Sequence, residues 1–101
     1  MEKINGLNSK HIKVLDAIFS DPIRADVKWN NVEGLLEALG AFIEEGRGSR
    51  VRVIAGERFA VFHKPHGAGE KAMDKGAVKS LRRFMKEAGL WPSDTKITLD
   101  T

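Results

Sequence analysis

Two histidines and three arginines, grouped in the middle of a 101-residue chain, are the side chains best suited to chemistry. They fall in Gly46-Arg47-Gly48-Ser49-Arg50-Val51-Arg52-Val53-Ile54 and in Phe59-Ala60-Val61-Phe62-His63-Lys64-Pro65-His66. Arginine stays protonated at ordinary pH and grips phosphate oxygens, whereas an imidazole with a reference pKa of about 6.5 can take up and return a proton. Arg47, Arg50 and Arg52, with Lys64 beside them, are therefore candidates for binding a phosphate backbone. His63 and His66 are candidates for general acid–base work. Gly46 and Gly48 leave bare backbone that a phosphate can approach. Each group also has a purely structural reading. Charged side chains solvate and protect strand edges, and loop histidines often bond to backbone.

Other chemistries find little in the sequence. The chain has no cysteine, which excludes disulfides and thiolate ligands, and the two histidines have no third metal ligand at useful spacing. Neither a metal nor a cofactor is expected. There is no phosphate-binding loop motif, dinucleotide fingerprint or nucleophile elbow, and Gly67-Ala68-Gly69-Glu70-Lys71 reads as a connector. His11 lies apart, on a predicted helix, and is expected to be incidental.

A second basic group sits near the C-terminus. Lys75, Lys79, Arg82, Arg83 and Lys86 recur at i, i+4, i+7, i+8 and i+11, which puts them on one side of a helix. Lys79, Arg82, Arg83 and Lys86 are read as nucleic-acid contacts, or else as the solvated side that any surface helix displays. The halves of the chain differ in sign. Residues 1–45 carry 5 basic and 8 acidic side chains, and residues 46–101 carry 12 and 6, within a net charge of +3. The second half thus offers a field that attracts phosphates.

Three helices and a three-stranded meander must position these residues. Asn8 or Ser9 can cap a first helix whose apolar face is Ile12, Leu15, Ile18 and Phe19, and Asp21-Pro22 stops it. Residues 20–28 read as a connector. A second helix is expected from Asn30 or Asn31, with Val32, Leu35, Leu36 and Leu39 inward, Glu33 and Glu37 outward, and Gly40 closing it. Trp29, just before that start, is placed to pack back as a hydrophobic staple. Ala41–Glu45 reads as a strand, Gly46–Gly48 as a turn, and Val51 and Val53 as the buried face of a strand whose other face is Arg50 and Arg52. Ala55-Gly56-Glu57-Arg58 is a hairpin turn into Phe59–His63, followed by a loop from Lys64 to Met73. Asp74 caps the last helix, which buries Ala77, Val78, Leu81, Phe84, Met85 and Ala88 and ends at Gly89. Lys96–Leu99 alternates like an edge strand.

This order predicts an α+β fold, a two-layer sandwich with an α-β-β-β-α core and an extra N-terminal helix. The same order describes double-stranded-RNA-binding domains. With 42% hydrophobic and 31% charged residues, the composition is that of an ordinary globular domain. The N-terminus lacks a signal-peptide core, and no stretch is long and apolar enough to span a bilayer, so a cytoplasmic protein that avoids membranes is expected.

Four pieces in a fixed order carry a resemblance. They are Asn31-Val32-Glu33-Gly34-Leu35-Leu36-Glu37-Ala38-Leu39-Gly40, Glu45-Gly46-Arg47-Gly48-Ser49-Arg50, Ala60-Val61-Phe62-His63-Lys64-Pro65-His66 and Ser80-Leu81-Arg82-Arg83-Phe84-Met85-Lys86-Glu87-Ala88-Gly89-Leu90. From Asn31 to Leu90, 60 of the 101 residues, the chain resembles the HicA family, the toxin component of bacterial and archaeal HicA–HicB toxin–antitoxin pairs. The resemblance implies a double-stranded-RNA-binding-like core at 29–90, an N-terminal helical extension at 1–28 and a tail at 91–101. It also implies endoribonuclease activity on mRNA and inhibition by a HicB-like antitoxin; the uncomplexed protein is expected to be a monomer. One departure stands out. The family usually has Gly-Ser-His or Gly-Ser-Asn-His, with a catalytic histidine, where this chain has Gly48-Ser49-Arg50. Two accounts follow. Either catalysis rests on His63 or His66 with Arg50 stabilising the phosphorane, or the chain keeps RNA and antitoxin binding without cleavage.

Overall fold

A computed structural model describes residues 7–64 and 71–90. His66 and the expected strand Lys96–Leu99 lie outside the described residues. The order within them is α1 (Ser9–Ile18), α2 (Trp29–Ala38), β1 (Phe42–Glu45), β2 (Arg50–Ala55), β3 (Arg58–His63) and α3 (Lys75–Glu87). The three strands form one antiparallel sheet in the order β1-β2-β3. The architecture is the expected α+β sandwich, of double-stranded-RNA-binding type with an added N-terminal helix. Among the described residues no helix is long and apolar enough to cross a membrane.

The sheet is two-faced because its sequence alternates. Val51 and Val53 on β2 and Phe62 on β3 point inward and are buried. They meet Trp29, Leu35 and Leu36 from α2 and Val78, Leu81 and Met85 from α3 in a single apolar core. Trp29, Phe62 and Phe84 form its aromatic spine, with ring centroids 6.0 Å and 6.4 Å apart. Burying a side chain of this size contributes about 1.5–3 kcal/mol. Among the described residues, helices cover the inner face only.

Helix ends follow their caps. Asn8 accepts from the backbone N–H of His11 at 2.8 Å, and the Asn8 N–H reaches back to His11 Nδ1 at 3.4 Å. His11 therefore completes a capping box, a role beyond the incidental one expected. Asp74 Oδ1 accepts from the Ala77 N–H at 2.8 Å and starts α3 as expected. Gly40, Gly48, Gly56 and Gly89 all have positive φ. Gly48 and Gly56 use it to turn the chain into β2 and into β3.

Three details differ from the sequence reading. Trp29 is the first residue of α2, fully buried, with Lys28 as a cap that makes no side-chain bond. The Asn31 and Val32 N–H groups both donate to the Lys28 carbonyl, so the helix begins one residue earlier than the asparagines suggest. Ile12 is exposed, and Val14 takes its place beside Leu15 and Ile18. The inward stripe of α1 therefore runs 14, 15, 18. Glu33 does not face water fully. It is half-buried, and that burial pushes its carboxyl above the ordinary range, with Lys64 pulling the other way.

Candidate active site and nucleic-acid interface

The β2–β3 ladder sets Arg50 directly opposite His63, both exposed on the uncovered face of the sheet. The Lys64 N–H donates to the Ser49 carbonyl at 2.7 Å, closing the ladder at the neighbouring pair. Antiparallel pairs alternate, so Arg50 and His63 occupy a non-hydrogen-bonded position, where facing side chains approach most closely. On its other side the Arg50 carbonyl accepts from the Gly46 N–H at 2.9 Å. The backbone under the arginine is thus held from both neighbours.

The arginines expected to act together do come together. Arg47, Arg50 and Arg52 line one shallow depression with Glu44, Glu45 and Val61. Arg52 lies 4.0 Å from Glu44, its cross-strand partner. Among the described residues no carboxylate lies within ion-pairing distance of Arg47 or Arg50. Within this group, these two exposed guanidiniums are therefore the ones best able to take a phosphate.

Lys64 has a different place from that of a phosphate ligand in solvent. Its Nζ donates to Glu45 Oε2 at 2.8 Å, and its side chain is only 23% exposed. That hydrogen bond holds the ammonium above the ordinary lysine range. Through its backbone N–H on Ser49 and its side chain on Glu45, Lys64 clamps both ends of the turn that leads into Arg50. The sequence marks Glu45 only as strand, and nothing in its spacing identifies it as the anchor.

His63 also borders a groove between β3 and the start of α3, lined by Phe62, Asp74, Ala77 and Ser80 among others. Asp74 was legible as a cap, but its neighbourhood to His63 depends on how α3 docks. Among the described residues no group of three or more histidine, aspartate or glutamate side chains could hold a metal ion. An imidazole and a guanidinium facing each other across a ladder can hold a phosphodiester between a proton acceptor and a fixed positive charge.

The basic stripe of α3 divides. Arg82 turns toward α1, its Nε donating to the Ile18 carbonyl at 2.6 Å and its Nη2 to the Ser20 carbonyl. Arg82 and Lys86 both lie over the Phe19 ring, 5.9 Å and 5.8 Å from its centroid. Lys79 and Arg83 are exposed. Of the four expected contacts on this helix, two are engaged with the N-terminal segment.

No significant match was found among curated proteins or among solved structures. Residues 29–90 match the family described as HicA toxin of bacterial toxin-antitoxin. The match opens on Trp29, the first residue of α2, and closes on Leu90, a buried residue just past the end of α3 whose N–H donates to the Met85 carbonyl. It therefore takes in the whole sheet, the Arg50–His63 pair and both helices that flank the strands in sequence. On this match, over more than half its length, the chain belongs to the HicA family of toxins.

Proposed function

We propose that this toxin binds mRNA on the uncovered face of its sheet and cleaves it by acid–base chemistry at the Arg50–His63 pair. The observation that carries the reading is the register, which faces an exposed imidazole with an exposed guanidinium that has no carboxylate partner among the described residues. In this mechanism His63 takes the proton from a ribose 2′-hydroxyl as the oxygen attacks the adjacent phosphorus. Arg50 offsets the charge that builds on the phosphorane, and the P–O5′ bond breaks as the 5′-oxygen takes a proton from solvent water, giving a 2′,3′-cyclic phosphate and a free 5′-hydroxyl. No metal step is invoked. General acid–base help of this kind contributes about 10²–10⁴-fold. Arg47, Arg52, Lys79 and Arg83 supply phosphate contacts, and residues 1–28 serve as a helical extension of the 29–90 core. A HicB-like antitoxin partners the toxin in the cytoplasm.

Arg50 supports a second reading, because it stands where the family's own histidine is expected. In that reading the chain binds RNA and antitoxin without cutting. Incubating the purified protein with RNA in a chelator-containing buffer separates the two. Cleavage lost in His63→Ala and kept in His66→Ala supports the mechanism given. Intact RNA with wild-type protein, together with harmless expression, overturns the enzyme reading.

A further inference from the structure

The uncovered face of the sheet carries more than cations. Phe42, Ile54 and Phe59 face one another across all three strands, since Phe42 pairs with Ile54 and Ile54 with Phe59. Phe42 is 62% exposed and Phe59 61%, although both are large apolar side chains on regular strands. The next row is Glu44, Arg52 and Val61, with Val61 also exposed, and the row after that holds Arg50 and His63. The Arg52 guanidinium lies over the Phe59 ring, 5.2 Å from its centroid. The two rings thus stand at one end of a rigid face and the Arg50–His63 pair at the other. At about 3.4 Å per residue, the four steps from position 54 to position 50 span about 14 Å.

We propose that Phe42 and Phe59 form a stacking platform for unpaired RNA bases, so that the substrate class of this toxin is single-stranded RNA. This rests on the RNA reading given above and adds to it the part of the strand that is not phosphate. Flat aromatic rings on a sheet, backed by a guanidinium that also prefers π-faces, bind bases without demanding a sequence. A paired duplex hides its base faces and offers such rings nothing to stack on. Charge argues the same way. The apolar row adjoins Arg52, and one row further stands Arg50, which has no ion-pair partner among the described residues, so the face continues into a surface that favours a polyanion. Stacking at one end and phosphate at the other would hold a short strand taut across the pair that cuts it.

The test uses the full chain and a labelled single-stranded RNA with 2′-O-methyl riboses, which cannot supply the attacking hydroxyl, alongside the same sequence annealed as a duplex. Single-strand affinity should exceed duplex affinity. Phe42→Leu and Phe59→Leu, which keep apolar bulk but remove the ring, should each weaken single-strand binding about ten-fold. The slope of affinity against salt should not move, because no phosphate contact is lost. Thermal unfolding of each variant within a few degrees of wild type shows that the sheet is intact. Unchanged affinity in both variants, or a preference for duplex, overturns the platform while leaving RNA binding standing. If neither RNA form binds the wild type even at low salt, the RNA reading itself fails and takes the platform with it. If the variants bind RNA normally but lose a co-expressed antitoxin, the face is a protein interface, and the platform is overturned.

Discussion

Arg82 on α3 donates through its Nε to the backbone carbonyl of Ile18, the last residue of α1. Its Nη2 reaches the Ser20 carbonyl two residues on, where the chain has left the helix. A single guanidinium thereby satisfies two backbone acceptors that α1 cannot satisfy internally. It also fixes the N-terminal helix to the part of the chain that matches the family. A residue that the sequence groups with phosphate ligands is engaged in holding the fold together.

Arg82→Ala should therefore lower stability by about 1–3 kcal/mol, because two carbonyls lose a charged donor. For a domain of this size that is a fall in melting temperature on the order of 5–20 °C. Arg83→Ala, one position along and exposed, should stay within about 0.5 kcal/mol of wild type. Equal melting temperatures for the two variants would count against the tie.

Phosphate contacts should be readable in salt. If Arg47 and Arg83 touch the backbone of a single strand, replacing either with alanine weakens binding and reduces the salt slope by about 0.7. Arg82→Ala, measured below its melting point, should leave the slope near the wild-type value. Affinity plotted against salt concentration on logarithmic axes checks all three.

Cleavage should separate from binding at the facing pair. His63→Ala should reduce the cleavage rate about 10²–10⁴-fold while RNA affinity changes little. Under the proposed mechanism Arg50→Ala should reduce both, since there the guanidinium meets phosphate before and during the reaction. Single-turnover rates at saturating protein, read beside equilibrium affinity, distinguish the two patterns.

Lys64 gives a prediction in pH. Its ammonium is held above the ordinary lysine range by Glu45, so the folded state binds that proton more tightly than the unfolded chain does. The stability it contributes is fully present below the ordinary lysine pKa of about 10.4 and is lost as pH rises through the folded value. Lys64→Met should thus melt lower than wild type by a constant amount from pH 7 to about pH 9. That gap should close in more alkaline buffer. A gap that widens with rising pH would contradict the clamp.

The sheet and the last helix were legible because their periods are clean. Val51 and Val53 alternate with arginines, which leaves no doubt about which face is inward. Asp74 precedes an apolar stripe of period 3.6, so its cap could be read directly. β3 was harder. Phe59-Ala60-Val61-Phe62 is apolar throughout and has no period, and only its register against Val51 decides that Phe62 goes in while Phe59 and Val61 stay out. Arg82 was hidden for a different reason: at its helical position a tertiary tie and a solvated side chain look alike in sequence. The Arg50–His63 pairing lay between these cases. Both residue types suit chemistry on sequence alone, but nothing short of the ladder sets them face to face.

Strand order in this sheet equals chain order. β1 meets β2, and β2 meets β3, through short turns, so the sheet forms by closing small loops, which are fast and cost little chain entropy. The contact between Ile18 and Arg82 closes over 64 residues and belongs to the slow end of the same scale. During synthesis the hairpin that aligns Arg50 with His63 leaves the ribosome before α3 does. The strands can pair early, but the helix that completes the covering of their inner face comes last. The facing pair can therefore be aligned before the last side of its sheet's core is in place.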